Sequence, residues 1–192
     1  MRHSKLVSLS LLLAVSAWCK PPASGCWTGF SAPAVNGGAF ALRGREHSPV
    51  LLAFLALKAN GSEATSRATV VILQSLDHQY SSRGLRVAAM DATAVGSQRI
   101  SRHADIVNAA ADWNLKFPVL EDPAGRGAQC FHIRTLPTIL LISPEGKELG
   151  RWEGFTRTAI LARTIEQIVG GPLAALPAGS LRPENTFDAH PK

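Results

Sequence analysis

Phe131-His-Ile-Arg-Thr-Leu-Pro-Thr-Ile-Leu-Leu-Ile-Ser-Pro-Glu-Gly-Lys147 decides the fold. Pro137 has a fixed φ and no N–H, so it sets a bend directly before a run of β-branched and aliphatic residues. Such a run reads as a buried strand, Thr138 to Ile142. Pro144-Glu-Gly146 supplies a turn, and Glu148 to Trp152 returns as the second strand of a hairpin.

Working outward, Pro49 to Ala56 is a second continuous apolar run, too short for most helices and suited to a strand buried on both faces. Lys58-Ala-Asn-Gly-Ser62 breaks it, with Ser62 as a helix cap. From Glu63 to about Tyr80, Val70, Leu73, Leu76 and Tyr80 recur at helical spacing until Gly84. Leu85 to Asp91 is the next strand. Ser97 to about Trp113 is a helix with Ile100, Ala104, Val107 and Ala111 on one stripe. Phe117 to Leu120 is a short extended piece, Ala124 to about Phe131 a short helix, and Thr158 to Val169 the last helix before Gly170-Gly-Pro172. The order β-α-β-α-(β)-α-β-β-α predicts an α/β domain, a mixed sheet of parallel strands plus a C-terminal antiparallel hairpin, sandwiched by helices.

The ends read differently. Arg2, His3 and Lys5, the apolar run Leu6 to Val15 and the small residues Val15-Ser16-Ala17 have the form of a secretory signal, residues 1–17. That apolar run is too short to span a bilayer comfortably. Residues 18–31 read as a linker within a turn-rich, irregular lead-in that runs to residue 48. Residues 32–171 form the domain and 172–192 a Pro/Ala-rich tail. Ala23-Ser24-Gly25-Cys26 has some likeness to a lipidation signal, but Lys20, Pro21 and Pro22 interrupt it, so membrane attachment is expected only if Cys26 carries a lipid. The expected location is outside the cytoplasm, periplasmic or extracellular. The chain's 20 Lys and Arg against 14 Asp and Glu are scattered, with no basic block interleaved with aromatics, so nucleic-acid binding is not expected.

Cys19 and Cys26 sit ahead of the domain and can bridge each other, which leaves Cys130 over. Cys130 reads either as a small buried hydrophobe at the end of a short helix or as a solitary nucleophile. The histidines show no two-ligand helical spacing, and no metal or cofactor is expected. His132 reads as packing or hydrogen-bonding locally, and His47, His78 and His103 as solvated. Asp112, Glu121 and Asp122 read as a capping and turn cluster, and Trp113 and Trp152 as core or rim aromatics. Asn60-Gly-Ser62 is formally a glycosylation sequon.

The chain resembles the thioredoxin-like superfamily in its redoxin branch, which holds membrane-anchored thiol–disulfide reductases and thioredoxin-like peroxiredoxins. The resemblance runs from about Ala32 to Gly170. It is carried by Ala32-Pro33, Val50 to Ala56, Gly84-Leu-Arg-Val87, Phe117-Pro-Val-Leu-Glu-Asp122, Phe131-His-Ile133, Leu136-Pro-Thr138, Ser143-Pro-Glu-Gly-Lys147 and Gly154. It implies a cis Pro137 and a segment Leu136, Pro137, Thr138 that holds extended substrate. In the family a reactive cysteine, often with a second, opens the first long helix, where the helix start stabilises thiolate. Counted from that helix, those positions here are Glu63 and Ser66, and neither residue can carry out thiol–disulfide exchange. The expected function is a binding or accessory module for extended polypeptide or a partner protein, with a degenerate thiol site. The alternatives are a thiol–disulfide oxidoreductase or peroxidase using Cys130, and a purely structural domain.

Overall fold

The structure is a computed structural model that describes residues 29–42, 48–58, 63–95 and 100–170. The leader, Cys19, Cys26, His47, the sequon with its Ser62 cap, and the tail therefore lie outside the described residues.

Five strands form the main sheet: β3 (Val50–Leu55), β4 (Arg86–Asp91), β5 (Val119–Leu120), β6 (Thr138–Ile142) and β7 (Glu148–Glu153). Their spatial order is β5-β4-β3-β6-β7. β4 runs parallel to β3 and β5, whereas β6 is antiparallel to both β3 and β7. β3 and β6 are buried at every residue, as central strands covered on both faces must be. The hairpin register slips between Leu141 and Ile142, a bulge that leaves Leu149 unpaired and half-exposed on β7.

Because side chains alternate along a strand, β3 feeds two cores. Leu51, Ala53 and Leu55 face α1 (Glu63–Tyr80), α2 (His103–Asp112) and α4 (Thr158–Val169). Val70, Leu73, Leu76 and Tyr80 of α1 pack there, the stripe that its periodicity predicts. Leu52 and Phe54 face the other way, toward Phe40, Phe131, Ile133 and α3 (Arg126–Cys130).

Two expectations change. The irregular lead-in contains a small antiparallel pair, β1 (Ser31–Pro33) and β2 (Ala39–Ala41). Gly37 and Gly38, at φ 92° and 82°, make its turn, a conformation that side-chain-bearing residues avoid. A bridge from Ala34 to Leu120 and a bond from Glu121 N to Pro33 O place this pair beside edge strand β5, where it shields backbone groups that would otherwise be open. Helix α2 begins at His103, not Ser97, and the described residues Ile100 to Arg102 are not helical. Its inward stripe is Ile106, Ala109 and then Trp113, while Ile100, Ala104, Val107 and Ala111 face solvent.

Candidate functional site

The C-terminal end of β3 gathers the candidate residues. Three successive amides follow the strand, and each meets a side-chain oxygen from another element. Ala56 N donates to Ser66 Oγ at 3.0 Å, Leu57 N to Asp91 Oδ1 at 3.4 Å, and Lys58 N to Thr93 Oγ1 at 3.3 Å. Thr93 in turn donates to the same Asp91 oxygen through its hydroxyl at 2.6 Å and its amide at 3.3 Å. Ser66, Asp91 and Thr93 are all buried. A buried amide without an acceptor is costly, so these oxygens fix the chain as it leaves the sheet.

Ser66 is thus a structural acceptor in the first turns of α1. We expect Ser66→Ala to lower stability by about 1–3 kcal/mol, because Ala56 N–H would be left buried and unpaired. Urea unfolding checks this, and an unchanged midpoint would show that the bond contributes nothing. Glu63 is partly exposed and lies 3.8 Å from Arg67, whose guanidinium stacks 5.1 Å from the centre of the Trp113 ring. A pair this exposed contributes little.

Lys58 continues from this pinned segment to Asp105 of α2, with Nζ donating to Oδ1 at 2.6 Å. Arg102 donates to the other carboxylate oxygen. The Lys58 hydrogen bond, first among the causes, holds the Asp105 carboxyl below its ordinary 3.8. A depressed carboxylate stabilises the fold above its unfolded pKa, and that contribution is lost as pH falls through the lowered folded value. Lys58→Ala should therefore bring the Asp105 pKa back toward 3.8 in an NMR titration. No movement would show that the pair does not form in solution. Elsewhere on the same face, burial and the Tyr80 Oη bond to Glu166 at 2.9 Å push the tyrosine pKa up.

The cis-proline segment stands at the same end of the sheet, since Thr138 pairs with Phe54, two residues before Ala56. The Leu136–Pro137 peptide is cis. Pro137 O accepts from Gly154 N at 2.7 Å, and Thr138 Oγ1 donates to Thr135 O at 2.6 Å, so both groups are satisfied within the fold. Just ahead of them the backbone is open: among the described residues, the amides of Arg134, Thr135 and Leu136 meet no acceptor. Leu136 itself is half-buried, and Phe155, 56% exposed, directly follows the Gly154 whose amide bonds to Pro137 O.

Cys130 is placed elsewhere. It ends α3 on the sheet face opposite α1, half-buried against the Phe54 and Phe131 core. It is disulfide-bonded. In this state it offers no thiolate, so the solitary thiol expected from the sequence gives way to a paired one, with the sheet between it and Ser66. Asp122, buried, caps α3 by accepting from Gly127 N at 3.0 Å and Ala128 N at 2.9 Å. Glu121 instead meets His103 Nδ1 at 2.6 Å, and Asp112 lies exposed on α2, so the three acids do not form one cluster. His78 and His132 are exposed, Trp113 is core and Trp152 half-buried. Among the described residues, no group of three or more His, Cys, Asp or Glu is arranged to hold a metal.

Sequence reasoning names Ser66 and Pro137 but not Asp91 and Thr93, which stand at the same end of β3. An aspartate closing the buried strand Leu85 to Asp91 was the signal available, because a carboxylate at that depth needs donors.

A mixed sheet with a cis-proline before its antiparallel hairpin, faced by a long helix at the end of the first central strand, is the thioredoxin-like fold. No family model and no curated protein matches the sequence. Solved structures do. One described as the thiol:disulfide interchange protein DsbE from Chlorobium tepidum superposes with TM-score 0.62 at 23% identity, over 73% of this chain and 93% of that one. A secreted Mycobacterium tuberculosis disulfide oxidoreductase homologous to Escherichia coli DsbE gives 0.60 at 13%, over 76% and 100%. The exposed lipoprotein thioredoxin Etrx1 of Streptococcus pneumoniae gives 0.59 at 21%, over 72% and 98%. At these identities the likeness defines the fold.

Proposed function

We propose that this chain is an exported thioredoxin-like protein whose thiol site is degenerate and which binds extended polypeptide along the cis-proline segment. The observation that carries the proposal is the run of amides at Arg134, Thr135 and Leu136 that meet no acceptor among the described residues, directly ahead of the Pro137 that Gly154 pins. An extended chain can bond to such backbone groups while its side chains take neighbouring pockets. Glu63 and Ser66 supply no sulfur at the start of α1, so capture there has no exchange step attached to it.

Two features support export: the N-terminal leader pattern and the disulfide at Cys130, since disulfides persist in oxidising compartments. The disulfide also bears on anchoring. Lipid attachment at Cys26 would consume its sulfur and discard Cys19 with the leader, leaving Cys130 no partner in a chain of three cysteines. A paired Cys130 therefore supports free export over a lipid anchor.

The test is binding of a dye-labelled extended peptide library to the mature chain and to Pro137→Ala. Weaker binding by the variant, with thermal unfolding still cooperative, is expected. Equal binding would overturn the assignment of this segment. The disulfide also favours a second reading, thiol–disulfide exchange through Cys130. Its half-burial and its position across the sheet from α1 weigh against that chemistry.

A further inference from the structure

An open groove of about 540 Å³ lies between Ala94, Val95 and Ile100 on one side and the α3 turn on the other. Its walls are apolar, with Val95, Ile100, Ala124 and Ile133 among them, and Ile100 is 68% exposed. Its polar rim carries His132 and Arg134, and among the described residues no Asp or Glu lines it. Neither side chain has a carboxylate partner among the described residues.

The turn that presents these two side chains is built before any ligand arrives. Ile133 N donates to Ala128 O at 2.8 Å, and Arg151 Nη2 donates to Phe131 O at 3.0 Å while its guanidinium also grips Glu148. His132 sits in the left-handed region at φ 52° and is exposed. Preorganisation of this kind lowers the ordering cost of binding. Arg134 is both a groove residue and the first of the amides that meet no acceptor among the described residues, so the groove is continuous with the open backbone leading to Pro137.

We propose that this groove selects the bound polypeptide: it takes a bulky apolar side chain whose chain neighbour is acidic, with the carboxylate held by Arg134 and His132. This rests on the polypeptide-binding reading above. The size suits one large side chain with its flanking backbone, and the Arg134 guanidinium at the rim of an apolar hollow gives specificity through complementary charge, with His132 as a further hydrogen-bonding group.

Fluorescence anisotropy with the full mature chain and three dye-labelled extended peptides tests it: one pairs Phe with Asp, one Phe with Lys, one Ser with Asp. The Phe–Asp peptide should bind tightest. Arg134→Glu should weaken it by about tenfold or more, the scale for like charges brought together at an interface, and favour the Phe–Lys peptide. Ala124→Trp, an exposed position that fills the groove, should weaken both Phe peptides and spare the Ser–Asp one. Pro137→Ala should weaken all three. If the peptides bind equally and respond only to Pro137→Ala, the selectivity inference is overturned and the binding reading stands. If no peptide binds the wild type, both fall. Binding of dodecanoate without any peptide would assign the groove to a small amphiphile and overturn the inference.

Discussion

Phe131→Ala will destabilise the fold by about 3–5 kcal/mol, the range for emptying a buried aromatic site. Phe131 is fully buried between α3 and the sheet, with ring centres 5.0 Å from Phe30 and 5.6 Å from Phe54. The edge-on and tilted contacts are lost along with the buried area. Collapse cannot fill the gap cheaply, because Phe54 belongs to the fully buried central strand. The same change loosens the turn whose Phe131 carbonyl is held by Arg151, so peptide binding should fall too. Chemical denaturation measures the first effect, with a lower midpoint at an unchanged slope. A loss below about 1 kcal/mol would mean that this side chain does not occupy the core as described.

Reduction of the Cys130 disulfide, or Cys130→Ser, should cost about 2–4 kcal/mol, mostly by freeing the unfolded chain. The native topology should survive, since both cores are continuous without it. A non-reducing peptide map should show the Cys130 peptide joined to one carrying Cys19 or Cys26, the other cysteines of the chain. Ready alkylation of Cys130 in the native protein, with stability unaffected by reductant, would contradict this.

The central strands were legible because a strand buried on both faces leaves an unbroken apolar run, as in Val50–Leu55 and Thr138–Ile142. Helix α1 was legible because its stripe is long and has one register. Helix α2 was misread for a definite reason. Ile100 fits a helical stripe only if the helix starts at Ser97. With the start at His103 the inward residues are Ile106, Ala109 and Trp113, and Ile100 becomes a groove wall. The β1–β2 pair escaped notice because three-residue strands around Gly37-Gly38 carry too little alternation to register.

The site was legible only in its identities. Sequence spacing puts Glu63 and Ser66 at the start of α1, but not the bond from Ala56 N that gives Ser66 a structural task. Nor can a linear reading find that the amides of Arg134, Thr135 and Leu136 meet no acceptor among the described residues, because pairing depends on which strands become neighbours. Cys130 shows the same limit: its sequence proximity to Pro137 suggested a shared site, yet it closes a disulfide on the sheet face opposite Ser66.

The central claim is that polypeptide binding here proceeds without thiol chemistry. Insulin-disulfide reduction and peroxide consumption, run on the mature protein and on Cys130→Ser, test it most directly. No turnover by either protein is the predicted result. Turnover by the wild type that disappears in Cys130→Ser would contradict it.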